Sequence, residues 1–152
     1  MRVLVDTCVI VDALQDRKPF SDNAKTIFYA VANKQIDGYI SAKSITDIYY
    51  ITHRATHSDE STRKILKTLL GLFDILDTAA IDCRKALSSD ITDYEDAVMC
   101  ETAERCEVDL IVTRNEMDYK KSKVKVLSPG ELVKYLEETE ESSKLNKIIS
   151  EH

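Results

Sequence analysis

Short apolar runs alternate along the chain with longer apolar repeats. Val3-Leu4-Val5 is an unbroken apolar run typical of a buried strand, whereas the apolar residues between Ala24 and Val31 recur at helical spacing. This alternation continues to about residue 136. The other runs that predict strands are Tyr39-Ile40, Phe73-Asp74-Ile75-Leu76, Leu110-Ile111-Val112 and Val124-Lys125-Val126.

Polar residues indicate where the predicted helices begin. Ser44 is well placed to cap a helix with Ile45, Ile48, Tyr49 and Thr52 on its apolar face. Later helices are predicted to begin at Ser58 or Asp59, at Thr92 or Asp93, and at Ser128-Pro129, and Gly71 is a candidate end for the first of these three. Repeated alternation of strands and helices predicts an α/β fold, with a parallel sheet covered by helices on both faces.

The length of 152 residues suits one domain. We expect this domain to span residues 1–136, because no linker, repeat or low-complexity block interrupts them. Residues 137–152 are predicted to be an acidic tail, either a frayed helix or a docking segment. Five glutamates and two lysines lie there, so the tail carries half of the formal net charge of −6.

Composition indicates the compartment and excludes several protein classes. An apolar content of 43% with 32% charged residues is ordinary for a globular protein. No apolar run is long enough to span a bilayer and the first residues do not resemble a signal peptide, so we expect a cytoplasmic protein without a membrane partner. The four cysteines form no C-x-x-C pair, which argues against a thiolate zinc site and a disulfide scaffold.

Aspartates stand where a parallel sheet would bring them together. Asp6 directly follows the first strand, Asp47 follows the Ser44 cap, Asp96 lies in the first turn after Asp93, and the last predicted members are Asn115 and Asp118, which follow Leu110-Ile111-Val112. Ligands bind beyond the carboxyl ends of parallel strands, so these residues are expected to share one crevice. Clustered carboxylates repel one another unless a cation lies among them, and oxygen ligands favour Mg²⁺ or Mn²⁺. A phosphodiester is then the natural substrate.

A purely structural interpretation of the same acids remains open. Asp47 and Asp96 would each contribute about 0.3–1 kcal/mol in a first helical turn through the helix dipole alone. Asp6 could cap the segment from Thr7 to Leu14, and Asp93 is favoured as a helix cap. Asp12 is predicted to face solvent.

Four segments resemble the PIN family of metal-dependent nucleases, in particular the branch that includes VapC-like toxins of toxin–antitoxin modules. In chain order they are Val3-Leu4-Val5-Asp6-Thr7-Cys8-Val9-Ile10, Ser44-Ile45-Thr46-Asp47-Ile48, Asp93-Tyr94-Glu95-Asp96-Ala97-Val98 and Ile111-Val112-Thr113-Arg114-Asn115-Glu116-Met117-Asp118-Tyr119. The resemblance extends to about residue 135.

The resemblance implies a three-layer α/β/α sandwich, an endoribonuclease activity with Mg²⁺ or Mn²⁺ as cofactor, and frequent homodimerisation. It also implies an antitoxin protein as a partner. Under this hypothesis Asp6, Asp96 and Asp118 bind the metal, while Asp47 and Asn115 support it through water. An aspartyl phosphatase or receiver domain fits less well, because D-x-D and the paired acids are absent.

Two departures from the family pattern keep an alternative open. Asp47 stands where a longer glutamate is more usual, and Asn115 stands at a commonly acidic position. The second hypothesis is therefore a catalytically weak or inactive PIN module that acts by binding protein or RNA.

Other polar and aromatic residues near the motifs have two interpretations each. Thr7 and Thr113 could bind a phosphate or cap the local backbone, and Arg114 could hold a phosphate or neutralise the acids. His53 and His57 are spaced for zinc but lack a third ligand, so a surface pair is favoured. Four tyrosines could stack on bases but more often lie in cores or interfaces: Tyr49, Tyr50, Tyr94 and Tyr119.

Overall fold

A five-stranded, all-parallel sheet forms the centre of the protein. The computed structural model describes residues 1–150, and in these the strand order is β3-β2-β1-β4-β5. The strands are β1 (Arg2–Val5), β2 (Asp37–Ser41), β3 (Asp74–Leu76), β4 (Leu110–Val112) and β5 (Lys125–Leu127). The first strand in the chain, β1, is the middle one in the sheet, and the later strands lie outward from it on both sides.

Seven α-helices lie on the two faces of this sheet within the described residues. They are α1 (Thr7–Leu14), α2 (Ser21–Ala32), α3 (Ala42–Thr56), α4 (Asp59–Leu72), α5 (Ala80–Ala86), α6 (Tyr94–Arg105) and α7 (Pro129–Ser150). A 3-10 helix, Glu116–Tyr119, connects β4 to β5.

Successive residues of β1 point to opposite faces and divide the core in two. Val3 and Val5 pack with residues of α1 to α4 and α7, whereas Leu4 packs with residues of α5 and α6. All three are fully buried. The predicted three-layer α/β/α sandwich with a parallel sheet is therefore confirmed.

Several predicted boundaries differ from the structure. The cap of α3 is Ser41, whose hydroxyl accepts the Ser44 amide, so α3 begins three residues earlier than predicted. Asp47 consequently lies in the second turn of α3 and not in the first. Ser58 is the cap of α4 as predicted, but Gly71 lies inside that helix, which ends at Leu72.

The C-terminal segment continues the last helix without a break. α7 runs from Pro129 to Ser150, so the structure has no element boundary at residue 136, and the side chains from residue 137 to residue 150 are exposed. The predicted tail also includes residues 151 and 152, which lie outside the described residues. None of the helices in residues 1–150 is both long enough and apolar enough for a membrane span.

Candidate active-site cleft

A cleft of about 440 Å³ opens beyond the carboxyl ends of the central strands. Its position follows from the parallel sheet, because residues that come after β1 and β4 emerge at the same edge. The cleft brings together predicted site residues from all four motifs: Asp6, Thr7, Asp47, Asp96 and Asn115. It also contains residues that the sequence did not single out, namely Arg17, Lys43, Ile51, Arg54, Glu95 and Met99.

Asp6 is fixed at the end of β1 by three donors. One carboxylate oxygen accepts the Thr7 amide at 2.7 Å, which caps α1. The other accepts the Thr113 hydroxyl at 2.7 Å and the Cys8 thiol at 3.6 Å. Only 9% of the residue is exposed, so this carboxylate has a defined orientation and little solvation by water.

Asp96 is the second acid of the cleft and lies in the first turn of α6. Asp93 caps this helix by accepting the Asp96 amide at 3.0 Å, which confirms the predicted cap. Burial, together with the negative charges of Asp6, Asp93 and Asp118, raises the pKa of the Asp96 carboxyl to about 6. Excess negative charge therefore remains at this point of the cleft.

Tyr119 orients the Asp96 carboxylate from inside the core. Its ring is 1% exposed, and its hydroxyl donates to Oδ1 of Asp96 at 2.9 Å. Burial and the neighbouring charges of Asp6 and Asp96 raise the pKa of the Tyr119 hydroxyl, so it remains a donor. Tyr119 is thus a core residue, as the more frequent interpretation of the tyrosines predicted.

Lys43 compensates the outer acids of the cleft and leaves the inner ones without a cation. Its ammonium lies 3.4 Å from Asp47 and 3.2 Å from Glu95. Within residues 1–150, no ion pair involves Asp6 or Asp96, and no three His, Cys, Asp or Glu side chains already form a group that could hold a metal ion. The oxygen donors of Asp6 and Asp96 suit a hard divalent cation, whose remaining ligands would be water and substrate.

The residues after β4 have different positions relative to the cleft. Thr113 is fully buried; its hydroxyl donates to Asp6 and accepts the Asn115 amide at 3.0 Å, which matches the capping interpretation. Asn115 itself lines the cleft. Asp118 is exposed on the 3-10 helix and does not line the cleft, although its charge contributes to the raised pKa of Asp96.

Arg114 and Asp12 form a partly buried ion pair beside the cleft. Arg114 Nε and Nη2 donate to the two carboxylate oxygens of Asp12 at 2.5 and 3.2 Å, and the guanidinium lies 4.1 Å from the Phe20 ring centroid. Asp12 is 1% exposed, so the prediction that it faces solvent is wrong. The forked contact that was predicted for phosphate is made to Asp12, and Arg114 does not line the cleft.

Cysteine, histidine and tyrosine side chains could support a different chemistry, but Cys8 is protonated and His53 and Tyr94 are engaged in other contacts. Burial and the nearby Asp6 charge raise the pKa of the Cys8 thiol to about 11, so it stays protonated at neutral pH. All four cysteines are free thiols. His53 stacks on Tyr49 with ring centroids 5.7 Å apart, and the Tyr94 hydroxyl donates to the Cys83 carbonyl.

Comparison with known proteins agrees with this architecture. The chain matches the PIN domain family profile over residues 2–117. Comparison with the curated proteins finds no sequence that matches it. Among solved structures, a chain of VapBC2 from Rickettsia felis bound to a DNA fragment from their promoter is 16% identical, with a TM-score of 0.58 over 84% of this chain and 98% of that one.

Two further solved structures share the fold. A chain of FitAcB from Neisseria gonorrhoeae is 20% identical, with a TM-score of 0.62 over 84% of this chain and 97% of that one. PAE2754 from Pyrobaculum aerophilum is 17% identical, with a TM-score of 0.58 over 90% and 89% of the two chains. The family profile covers well over half of the chain, and the all-parallel α/β fold matches that of the solved structures above. The chain therefore belongs to the PIN domain family.

Proposed function

We propose that this protein is an endoribonuclease that uses Mg²⁺ or Mn²⁺ to hydrolyse RNA phosphodiester bonds. The observation that carries the proposal is the pair of inner acids, Asp6 and Asp96, which meet in one cleft without a cationic partner. Burial and the neighbouring negative charges raise the pKa of Asp96, and a bound cation would compensate those charges. PIN domains are typically nucleases, which supports the reaction class.

In this proposal Asp6 and Asp96 hold the cation directly, and Asp118, which lies outside the cleft but contributes to the raised pKa of Asp96, is a third ligand that acts through water. When bound, the cation supplies Lewis-acid activation of water and phosphate. Thr113 and Tyr119 keep the two inner carboxylates oriented through their hydroxyl groups. Because Cys8 remains protonated, no side-chain nucleophile is assigned, and water attacks the phosphate.

The partners of the protein are part of the same proposal. The solved structures of similar fold include a toxin–antitoxin complex from Klebsiella pneumoniae, whose matched chain is 20% identical and has a TM-score of 0.62 over 84% of this chain and 97% of that one. For this chain we propose an antitoxin protein as a partner, and assembly into a homodimer. Light scattering and co-purification with the product of a neighbouring small gene test these two extensions directly.

The test compares the wild type with Asp6→Asn and Asp96→Asn on labelled RNA in Mg²⁺ or Mn²⁺. Asparagine also caps helices, so Asp6→Asn should fold. Asp37→Asn is the matched control, since Asp37 lies at the amino end of β2, away from the carboxyl ends of the strands where the cleft opens. We expect cleavage by the wild type and the control only, and none in EDTA.

Cleavage by both site variants at the wild-type rate would refute the proposal. Calorimetric titration with Mn²⁺ adds a readout that does not depend on turnover, and both site variants should lose the binding heat. The inactive-module hypothesis, which the neutral Asn115 favours, predicts RNA or protein binding without cleavage and without metal binding.

A further inference from the structure

One stripe of α3 forms a wall of the cleft. Asp47, Tyr50, Ile51 and Arg54 all line it, and their spacing of three, four and seven residues places them on one side of a helix. The neighbouring side of α3, about a third of a turn further round the helix, carries the buried Ile48 and faces the core. The cleft wall therefore changes along the helix from an acid to an aromatic ring and then to a cation.

Tyr50 presents an aromatic ring to solvent at this wall. The residue is 64% exposed, and its ring contacts Tyr49 edge-to-face with centroids 5.4 Å apart. Tyr49 is itself held by a hydrogen bond from its hydroxyl to Asp59. A large ring kept in water beside a polar cleft is a surface on which a flat ligand can stack.

Two cations on the rim have no acidic partner. Within residues 1–150, neither Arg17 nor Arg54 forms an ion pair, in contrast to Lys43. Arg17 Nε donates to the side-chain oxygen of Gln15 at 3.1 Å, and Arg54 is exposed in the last turn of α3. Both side chains line the cleft; Arg17 keeps its two Nη groups and Arg54 its guanidinium as forked donors for phosphate oxygens.

We propose that Tyr50, Arg54 and Arg17 form a subsite for one unpaired nucleotide next to the cleavage position. The base stacks on Tyr50, and flanking phosphates bind the two arginines. Arg54 lies seven positions after Asp47 in the helix, a rise of about 10 Å, so Arg54 contacts a phosphate beyond the scissile one. This inference rests on the proposed function for its RNA substrate. The subsite selects single-stranded RNA, because the bases of a duplex are already stacked on their neighbours and cannot reach Tyr50.

The binding test uses the intact chain with a fluorescently labelled single-stranded RNA of mixed sequence, in EDTA to prevent cleavage. Fluorescence anisotropy should show a Kd about 5- to 100-fold higher for Tyr50→Ala, whereas Tyr50→Phe should match the wild type. Tyr29→Ala is the matched control, because Tyr29 is 67% exposed on α2 and lies outside the cleft. The same RNA hybridised to its complement should bind more weakly and with no dependence on residue 50.

The salt dependence of binding tests the arginines. Arg54→Gln should reduce the slope of log Kd against log salt by about 0.7, the contribution of one phosphate contact to a single strand. Arg84→Gln is the control, since Arg84 also lies in the last turn of its helix, α5, but outside the cleft. If the slope changed equally in both variants, the effect would come from the overall charge of the protein, which would contradict the subsite.

The outcomes separate this inference from the proposed function. RNA cleavage by the wild type with an unchanged KM for Tyr50→Ala overturns the subsite and leaves the nuclease in place. RNA binding that depends on Tyr50 without any cleavage supports the subsite and refutes the nuclease. Absence of RNA binding overturns the subsite, as does a Tyr50→Ala variant that changes only self-association or protein binding.

Discussion

Replacing Asp96 by asparagine should stabilise the metal-free protein while it removes activity. The pKa of this carboxyl rises from an ordinary value of 3.8 to about 6, chiefly through burial, and further through the charge of Asp6. Since one pKa unit corresponds to 1.36 kcal/mol, the charged form costs at most about 3 kcal/mol. The group keeps some contact with water, which screens it, so we expect about 1–2 kcal/mol.

The sign of the effect follows from the raised pKa. The folded chain holds a proton on Asp96 more tightly than the unfolded chain, so the penalty is absent below about pH 4 and complete above about pH 6. Asparagine imitates the neutral carboxyl and can still accept the Tyr119 hydroxyl. Urea unfolding in EDTA should therefore show the variant to be more stable than the wild type at pH 8 and equally stable at pH 4. A variant that is less stable at pH 8, or a difference that is the same at both values, would refute the reasoning.

Two further predictions concern the residues around the inner acids. Tyr119→Phe should fold but weaken Mn²⁺ binding about 10- to 100-fold in calorimetry, because the donor that orients Asp96 is lost; unchanged affinity would contradict the orienting role. Asp12→Ala should lower the free energy of unfolding by about 3–5 kcal/mol, since it leaves Arg114 partly buried without its partner. Replacing both by apolar residues should recover most of that loss in urea unfolding; no recovery would show that the cost lies elsewhere.

The α/β class and the meeting of the acids could be predicted because both follow from local sequence. Asp6 comes directly after an apolar run, and Asp96 is three residues from its cap, so each position is set by its own neighbours. The sequence does not decide where α3 starts, because Ser41 and Ser44 are equally suitable as caps. Helix α5 spans seven residues, too few for a periodic pattern to stand out.

The contacts that orient the site were not accessible from sequence. The partners of Asp12 and Asp6, Arg114 and Thr113, lie 102 and 107 residues further along the chain. No local pattern reveals such a pair. The cleft wall on α3 is different, because the spacing of Asp47, Tyr50 and Arg54 was visible in the sequence. The apolar repeat of Ile45, Ile48 and Tyr49 is the stronger signal in the same helix.

The same long-range contacts determine when during synthesis the site can exist. Asp6 leaves the ribosome 107 residues before Thr113, whose hydroxyl orients it, and β1 gains β4 as a neighbour only when Leu110–Val112 has been made. The entropy cost of closing a loop of this length is incurred before the contacts that it brings together can stabilise the chain. A nascent or truncated chain that ends before β4 therefore carries Asp6 without an assembled cleft, and only a chain extended past Tyr119 can orient both acids.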